Sequence, residues 1–599
     1  MEKHKYRWYD LLLLPWRCAP VWTIFRIILL FIVRALPAVQ IFATAAFIDG
    51  AFRLLRKEVQ WETLIIPVIV LASIIIINHL GAVIANILKQ FIGNGIRLRF
   101  VDYLTKKCAK LPCAEIENHE TWDLIERIKT ESDVKIERGF ENLLNLVGIF
   151  IQAGSFLAVL FFEAWWSVFF VLIVGGIVVY FALKGGKNQY DAEKNVSEFR
   201  RHYQYYGNVM VSRDFVDERN LFHFFPLLQR MWEKNYFKTR DAEKKVTVRY
   251  LVRIKLVSSF MAIVTFGIAA LLLFPLSRGS LSPGIYISLI QAANGVVDLM
   301  SWELSDCVNL YAQYIEYVKD IVTFSNLPEV SGALDLPTKE KMEIRDVEFR
   351  NVSFTYPGTD REILRNVNLK IKAGRHYAIV GGNGAGKTTI IKLLTGLYTE
   401  FEGEILINDM SIREYKLSEL KAMLSVLFQD FARYEISVED NIALGNILQK
   451  GTESQSQAIE QALYLVGMDK KIEALSEGMK TRLGKLSEES KDLSGGEWQR
   501  IAMARTMISP ADLLILDEPT AALDPMSESG LYQKFAQISG GRTTIFISHR
   551  LGSTMLADEI IVLDQGVIIG QGSHDFLIST CPLYRQMYEN QRDWYIENA

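Results

Sequence analysis

Gly381-Gly382-Asn383-Gly384-Ala385-Gly386-Lys387-Thr388 fits the pattern G-x-x-x-x-G-K-[ST]. Glycines there let several backbone N–H groups turn inward on a polyphosphate, because a Cβ would block both the turn and the close approach. Lys387 is placed to reach the outer phosphates, and the Thr388 hydroxyl to meet Mg2+. Tyr377-Ala378-Ile379-Val380 predicts a buried strand entering the loop. Thr389 to Leu394 predicts a helix leaving it, its positive N-terminus aimed at the phosphates.

The partners of a nucleotide site follow in order. Leu513-Leu514-Ile515-Leu516 is an all-apolar run, as expected of a parallel strand covered on both faces. It delivers Asp517 and Glu518 to its C-terminal end, where ligands bind in open α/β sheets. Asp517 suits a Mg2+ contact and Glu518 suits the polarising of a water. Between the two motifs lies Leu493-Ser494-Gly495-Gly496-Glu497, followed by Trp498-Gln499-Arg500 and the apolar Ile501-Ala502-Met503-Ala504. Ser-Gly-Gly before a helix makes a second anion cradle, or else an N-cap with two flexible glycines.

With these motifs in place, the second half resembles the nucleotide-binding domain of the ATP-binding cassette superfamily, whose signature is L-S-G-G-[QE] followed shortly by Q-R. The resemblance runs from about Glu343 to the C-terminus and implies an α/β P-loop domain that takes ATP and Mg2+. It implies that Tyr356, in Phe354-Thr355-Tyr356-Pro357-Gly358, stacks on adenine, and that the loop residues through Thr389 hold the phosphates. Gln429 matches the glutamine that links Mg2+ and the attacking water to the membrane part. Asp524, in Ala521-Ala522-Leu523-Asp524, matches the loop after the catalytic acid, with Ala at a position that is usually Ser. His549, in Ile547-Ser548-His549-Arg550, matches the histidine on the γ-phosphate. In the family the phosphate loop of one subunit meets the Ser-Gly-Gly of another. One complete set therefore implies two such chains around two ATP molecules, as a homodimer or as a heterodimer with a relative.

The first half is of a different kind. The chain has 599 residues, too many for one core, and is 50% hydrophobic with the excess concentrated before about residue 325. Six apolar runs are long enough to span a bilayer: 21–47, 64–88, 143–162, 166–183, 256–276 and 285–307. The predicted organisation is a helical membrane domain over 1–325, a linker over 326–342 and the nucleotide domain over 343–599. The segments between the second and third runs and between the fourth and fifth are rich in Lys and Arg, as is the N-terminus. That places them, and the C-terminal domain, in the cytoplasm. Trp165 and Trp166 predict a tight interfacial turn between the third and fourth spans. Trp8 to Trp16 predicts an interfacial helix on the inner leaflet, and nothing at the start reads as a cleavable signal. Five scattered cysteines support neither a disulfide framework nor a zinc site. A net charge of −3 argues against a nucleic-acid partner.

Six spans with two long cytoplasmic loops resemble a type I exporter half-transporter, in which such loops end in short coupling helices that rest on the ATPase domains. The candidate tips are 111–128 and 214–228. Glu117-Asn118-His119-Glu120 and Gln429 to Glu435 further resemble exporters of ribosomally made peptides such as lantibiotics. A peptide or other amphipathic substrate is thus expected, with a drug or lipid exporter of the same fold, or an ATP-gated channel, as alternatives. A peptidase domain is not expected ahead of the first span. On the last span Gln291, Asn294, Asp298, Trp302 and Ser305 form a polar stripe at helical spacing. Asp298 either attracts a cationic substrate or is neutralised by Arg34.

Overall fold

The computed structural model describes residues 13–299, 303–520, 541–548 and 554–597, together with 530, 531, 534, 538 and 539. Two compact units emerge. The first is the chain up to Lys106 together with Asp123–Leu327; the second is Lys107–Trp122 together with the chain from Pro328 onward.

The first unit is helical. Its principal helices are α1 (Pro20–Leu55), α2 (Ile65–Ile96), α3 (Ser132–Val211), α4 (Phe225–Ser277), α5 (Pro283–Asp298) and α6 (Leu304–Asn326). Among the described residues, Pro20–Leu55, Trp61–Cys108 and Ser132–Phe162 are long and apolar enough to cross a membrane, and Thr265–Ser277 is a shorter apolar helix. Only 11% of the most apolar window is buried in each of the first two. Their apolar side chains face outward, which is stable in lipid and not in water.

One expectation is corrected. The turn predicted at Trp165 and Trp166 is absent, and α3 runs unbroken for 80 residues through both the third and fourth apolar runs. Glu163 to Ser167 holds neither Gly nor Pro, so nothing local stops the helix. Trp165 and Phe169, one turn apart, meet edge to face with centroids 6.1 Å apart, a contact that helical spacing creates. Leu14–Cys18 is a short helix whose Leu14, Pro15 and Cys18 are buried, so this end of the expected interfacial segment packs inward.

Polar side chains inside this unit are paired across helices. Arg26 of α1 donates from Nε to Glu141 Oε1 (3.1 Å) and from Nη2 to Glu141 Oε2 (2.7 Å) of α3, with the two side chains 11% and 15% exposed. Arg34, one helical stretch further along α1, donates to Gln152 Oε1 (2.8 Å) and Glu303 Oε2 (3.0 Å). An acid of the last run does meet Arg34, but it is Glu303; the Asp298 side chain and Trp302 lie outside the described residues. Gln291 and Asn294 of the polar stripe are exposed.

The second unit contains β1 (Asp346–Thr355), β2 (Glu362–Lys372), β3 (His376–Val380), β4 (Glu402–Ile407), β5 (Met410–Ser411), β6 (Leu424–Leu427), β7 (Leu513–Asp517), β8 (Thr543–Ile547), β9 (Glu559–Asp564) and β10 (Val567–Gly572). An antiparallel sheet runs β2-β1-β4-β5, and a six-stranded sheet runs β10-β9-β3-β8-β7-β6. In the larger sheet β6, β7, β8, β3 and β9 are parallel and β10 is antiparallel. Successive residues of a strand point to opposite faces. Ala378, Val380, Leu514 and Leu516 accordingly join one core, and Tyr377, Ile379, Leu513 and Ile515 the other. That double coverage explains the unbroken apolar run of β7. Its C-terminal edge, where Asp517 pairs with Ile547, becomes the place where polar groups can gather.

The segment after α6 is tied down rather than slack. Val330 N donates to Lys110 O (2.8 Å), and Lys421 Nζ donates to the carbonyls of Ala333 and Asp335 (both 2.8 Å).

Replacing Glu141 by Ala should strand the Arg26 guanidinium among helices and lower stability by about 3–5 kcal/mol. Thermal unfolding of the detergent-solubilised protein measures this. The double change Arg26→Leu with Glu141→Leu should recover most of the loss.

Candidate functional site

β3 ends at Val380, the chain turns through Gly381–Gly386, and α7 (Lys387–Leu394) begins at Lys387. Two glycines are sterically required. Gly386 has φ +106°, and a Cβ there would lie 2.6 Å from Leu364 Cδ2; at Gly381 it would lie 2.1 Å from the Leu563 carbonyl oxygen. The Lys387 ammonium donates to Gly381 O (2.9 Å) and Gly382 O (3.0 Å), so it is held within the loop. Burial lowers its pKa, against the attraction of Glu518 and Asp517.

A cavity of about 470 Å3 opens over this loop. Its wall takes in Asn383 through Thr389, Tyr356, Gln429 and Glu518, and also Arg361 and Ile363, which the sequence reading had not singled out. Thr388 Oγ1 donates to Asp517 Oδ2 (2.9 Å). Asp517 is 1% exposed, and its Oδ1 has no hydrogen-bond partner among the described residues. Burial pushes the Asp517 carboxyl up to about 6 despite the Thr388 bond.

Glu518 follows at φ +48°, a left-handed conformation unusual for a non-glycine residue. Three hydrogen bonds hold it there. Its N–H donates to Ile547 O (3.0 Å), its carbonyl accepts from Gln499 Nε2 (2.9 Å), and its Oε2 accepts from Gln429 Nε2 (2.9 Å). The carboxylate is thereby aimed into the cavity with one oxygen occupied by the Gln429 amide. Gln499, on α8 (Gly495–Met507), is a support that a surface-like Gln-Arg pair does not advertise.

Tyr356 also lines the cavity. Its hydroxyl bonds Thr389 Oγ1 (3.0 Å), and Lys392 Nζ of α7 stands 5.3 Å from its ring centroid. Tyr398 packs edge-on to Tyr356, centroids 5.4 Å apart. Glu117, on the short helix Cys113–Glu117, accepts from Lys392 Nζ (3.0 Å) and from the Tyr398 hydroxyl. Burial acts to raise the Glu117 carboxyl, but the Tyr398 and Lys392 hydrogen bonds prevail and lower it. The aromatic wall is therefore braced by a residue far away in sequence.

Ser494, Gly495 and Gly496 do not line this cavity. Ser494 is the N-cap of α8 in a capping box, with its N–H donating to Glu497 Oε2 (2.9 Å), and Gly495 is exposed at the start of the helix. Asp524 and His549 lie outside the described residues.

Against known proteins, a family model described as "ABC transporter" matches residues 364–521. The subtilin transport ATP-binding protein SpaT of Bacillus subtilis is 31% identical over 570 residues, 93% of this chain and 89% of that protein. The chain belongs to the ABC transporter family. The nisin transport ATP-binding protein NisT of Lactococcus lactis subsp. lactis is 27% identical over 544 residues, 87% of this chain and 88% of that one. The ATP-dependent lipid A-core flippase of Escherichia coli (strain K12) is 40% identical over 246 residues, 41% of each chain. A solved bacterial Atm1-family ABC exporter with ATP bound is 22% identical, with a TM-score of 0.77 over 95% of this chain and 99% of that one, so the fold is that of an ABC exporter. This ABC transporter is thus a membrane-embedded, ATP-binding ATPase that drives export.

The buried acid makes a pH prediction. Asp517 titrates at about 6 when folded, above the ordinary aspartate value, so the folded state holds that proton more tightly. Stability of the nucleotide-free, chelator-treated protein therefore declines as pH rises from roughly 4 to 6. Asp517→Asn should remove this component and raise stability at neutral pH by about 3 kcal/mol, read from thermal unfolding across pH.

Proposed function

We propose that this transporter exports a peptide from the cytoplasm, using ATP hydrolysed at the cavity between Tyr356 and Glu518. The observation that carries the chemistry is the convergence of Thr388 on Asp517 and of Gln429 on Glu518 beside the phosphate loop. Thr388, Asp517 and Gln429 would hold Mg2+. A hydroxyl, a buried carboxylate with one oxygen unpartnered among the described residues and an amide oxygen form the all-oxygen donor set that a small hard cation takes. When bound, that ion supplies charge neutralisation for the β- and γ-phosphate oxygens.

The residues of the chain do the rest. The Tyr356 ring, one face toward Lys392, offers its other face to adenine. Backbone N–H groups of Gly381 through Thr389 cradle the phosphates, and Lys387 meets the outer ones. The Glu518 carboxylate orients water and accepts its proton as the water oxygen bonds to the γ-phosphorus; the bond to the bridging oxygen breaks, and ADP leaves. Gln429, bonded to Glu518, aligns that carboxylate. His549 contacts the γ-phosphate, and Asp524 belongs to the loop that closes on the site.

Two chains complete the machine, as a homodimer or with a related half-transporter. Ser494, Gly495 and Gly496 of one chain would face the γ-phosphate held by the other, which accounts for their standing apart from the Lys387 cavity. Residues 1–325, less the Lys107–Trp122 segment that folds with the second unit, form the membrane domain, 326–342 the linker and 343–599 the ATPase domain, with both termini cytoplasmic. A peptide substrate is favoured over a lipid because the subtilin and nisin transport proteins match along 93% and 87% of the chain, against 41% for the flippase.

Glu518→Gln should bind ATP with Mg2+ at close to wild-type affinity while hydrolysis falls at least about a hundredfold, because the carboxamide keeps the shape and loses the basic oxygen. Lys387→Ala should weaken binding itself. Equal ATPase rates for Glu518→Gln and wild type would remove the assignment. Stimulation of ATPase by a cationic modified peptide, and not by lipid A or a hydrophobic dye, tests the substrate class.

A further inference from the structure

Among the described residues the cavity is lined by two cations, Lys387 and Arg361, and they are in different circumstances. The Lys387 ammonium already donates to two loop carbonyls. Arg361 is exposed, and its guanidinium has no partner among the described residues. An ATP triphosphate brings several negative charges, more than one buried ammonium neutralises.

The hairpin places Arg361 well for this. β1 and β2 pair with Thr355 opposite Glu362, so Arg361 stands just outside the ladder, close to Tyr356. Ile363, two residues on and on the same strand face, also lines the cavity. The Ile363 carbonyl lies 3.3 Å from where a Cβ on Gly386 would be, so this end of β2 rests on the end of the phosphate loop. Arg361 Cα is then about 7 Å along the strand from that contact, within the reach of an extended arginine. A planar guanidinium matches phosphate oxygens in pairs, and an exposed one reaches them without first breaking a protein ion pair.

We propose that Arg361 is a nucleotide-phosphate contact of this ATPase, a second cation that reads the charge of the polyphosphate alongside Lys387. The proposal rests on the nucleotide role assigned above to the cavity.

Equilibrium binding of ATP, ADP and adenosine to the full-length, detergent-solubilised protein tests it, with wild type, Arg361→Gln, Arg361→Lys and Lys387→Ala compared. Arg361→Gln should weaken ATP about tenfold, ADP less and adenosine not at all, with added salt narrowing the difference. Arg361→Lys should recover most of the affinity. Thermal unfolding without nucleotide should be unchanged in both Arg361 variants. Equal losses for all three ligands would overturn the proposal in favour of a base contact, and no loss would overturn it outright. Should Arg361→Gln fold poorly, Arg361→Lys decides: an unfolding defect in that variant too marks a structural role and overturns the proposal. Failure of Lys387→Ala to weaken ATP would instead overturn the nucleotide reading of the cavity, a distinguishable result.

Discussion

A strand buried on both faces cannot carry a charge except at its end, and that constraint organises the second unit. β7 is buried at every residue from Leu513 to Asp517, so its first polar groups appear together at the edge of the sheet. Asp517 is held there with one oxygen on Thr388 and the other unpartnered among the described residues, a local cost that a folding-only design would avoid. Glu518 adds backbone strain, held by bonds from Gln499 and to Ile547. Strain and an unsatisfied acid meet beside the phosphate loop, where a ligand that binds them returns the lost stability.

The phosphate loop was legible because its requirement is steric and local. Gly386 and Gly381 have no space for a Cβ, and the strand and helix around them are short and unambiguous. The brace on Tyr356 was not legible. Glu117 lies in the segment expected to form a coupling tip, but Lys392 is far away in sequence and carries no signal that the two would pair. Arg361 escaped notice for the same reason, since only tertiary folding brings it to the cavity, and the motif that contains Gln499 did not reveal its bond to the Glu518 carbonyl. The membrane unit erred differently. Hydropathy locates apolar runs but not the bend between them, and two aromatic residues fit a helix as readily as a turn.

Pairing inside the helical unit follows the logic of a medium that solvates charge poorly. Arg26 and Glu141 satisfy one another, and Arg34 is shared by Gln152 and Glu303. The second pair is looser, with the Glu303 side chain 45% exposed against 15% for Glu141. Charge at the N-terminal end of α6 that is only partly neutralised is a different resource from charge locked between α1 and α3. The first can meet an incoming group, while the second mainly sets helix register.

The second unit is not a contiguous stretch of chain. Lys107–Trp122 belongs to it, so the polypeptide passes between the units after Lys106, after Trp122 and after Leu327. Cys113 and Ala114 pack on one of its cores, Lys107 pairs with Glu329 at 2.8 Å, and Glu117 holds Lys392 and Tyr398. A fragment beginning at Pro328 would expose the seat of Cys113 and Ala114 and leave Lys392 without its carboxylate. Such an ATPase is no interchangeable cassette in the literal sense: recombination at a single joint would transplant an engine without its own bearing.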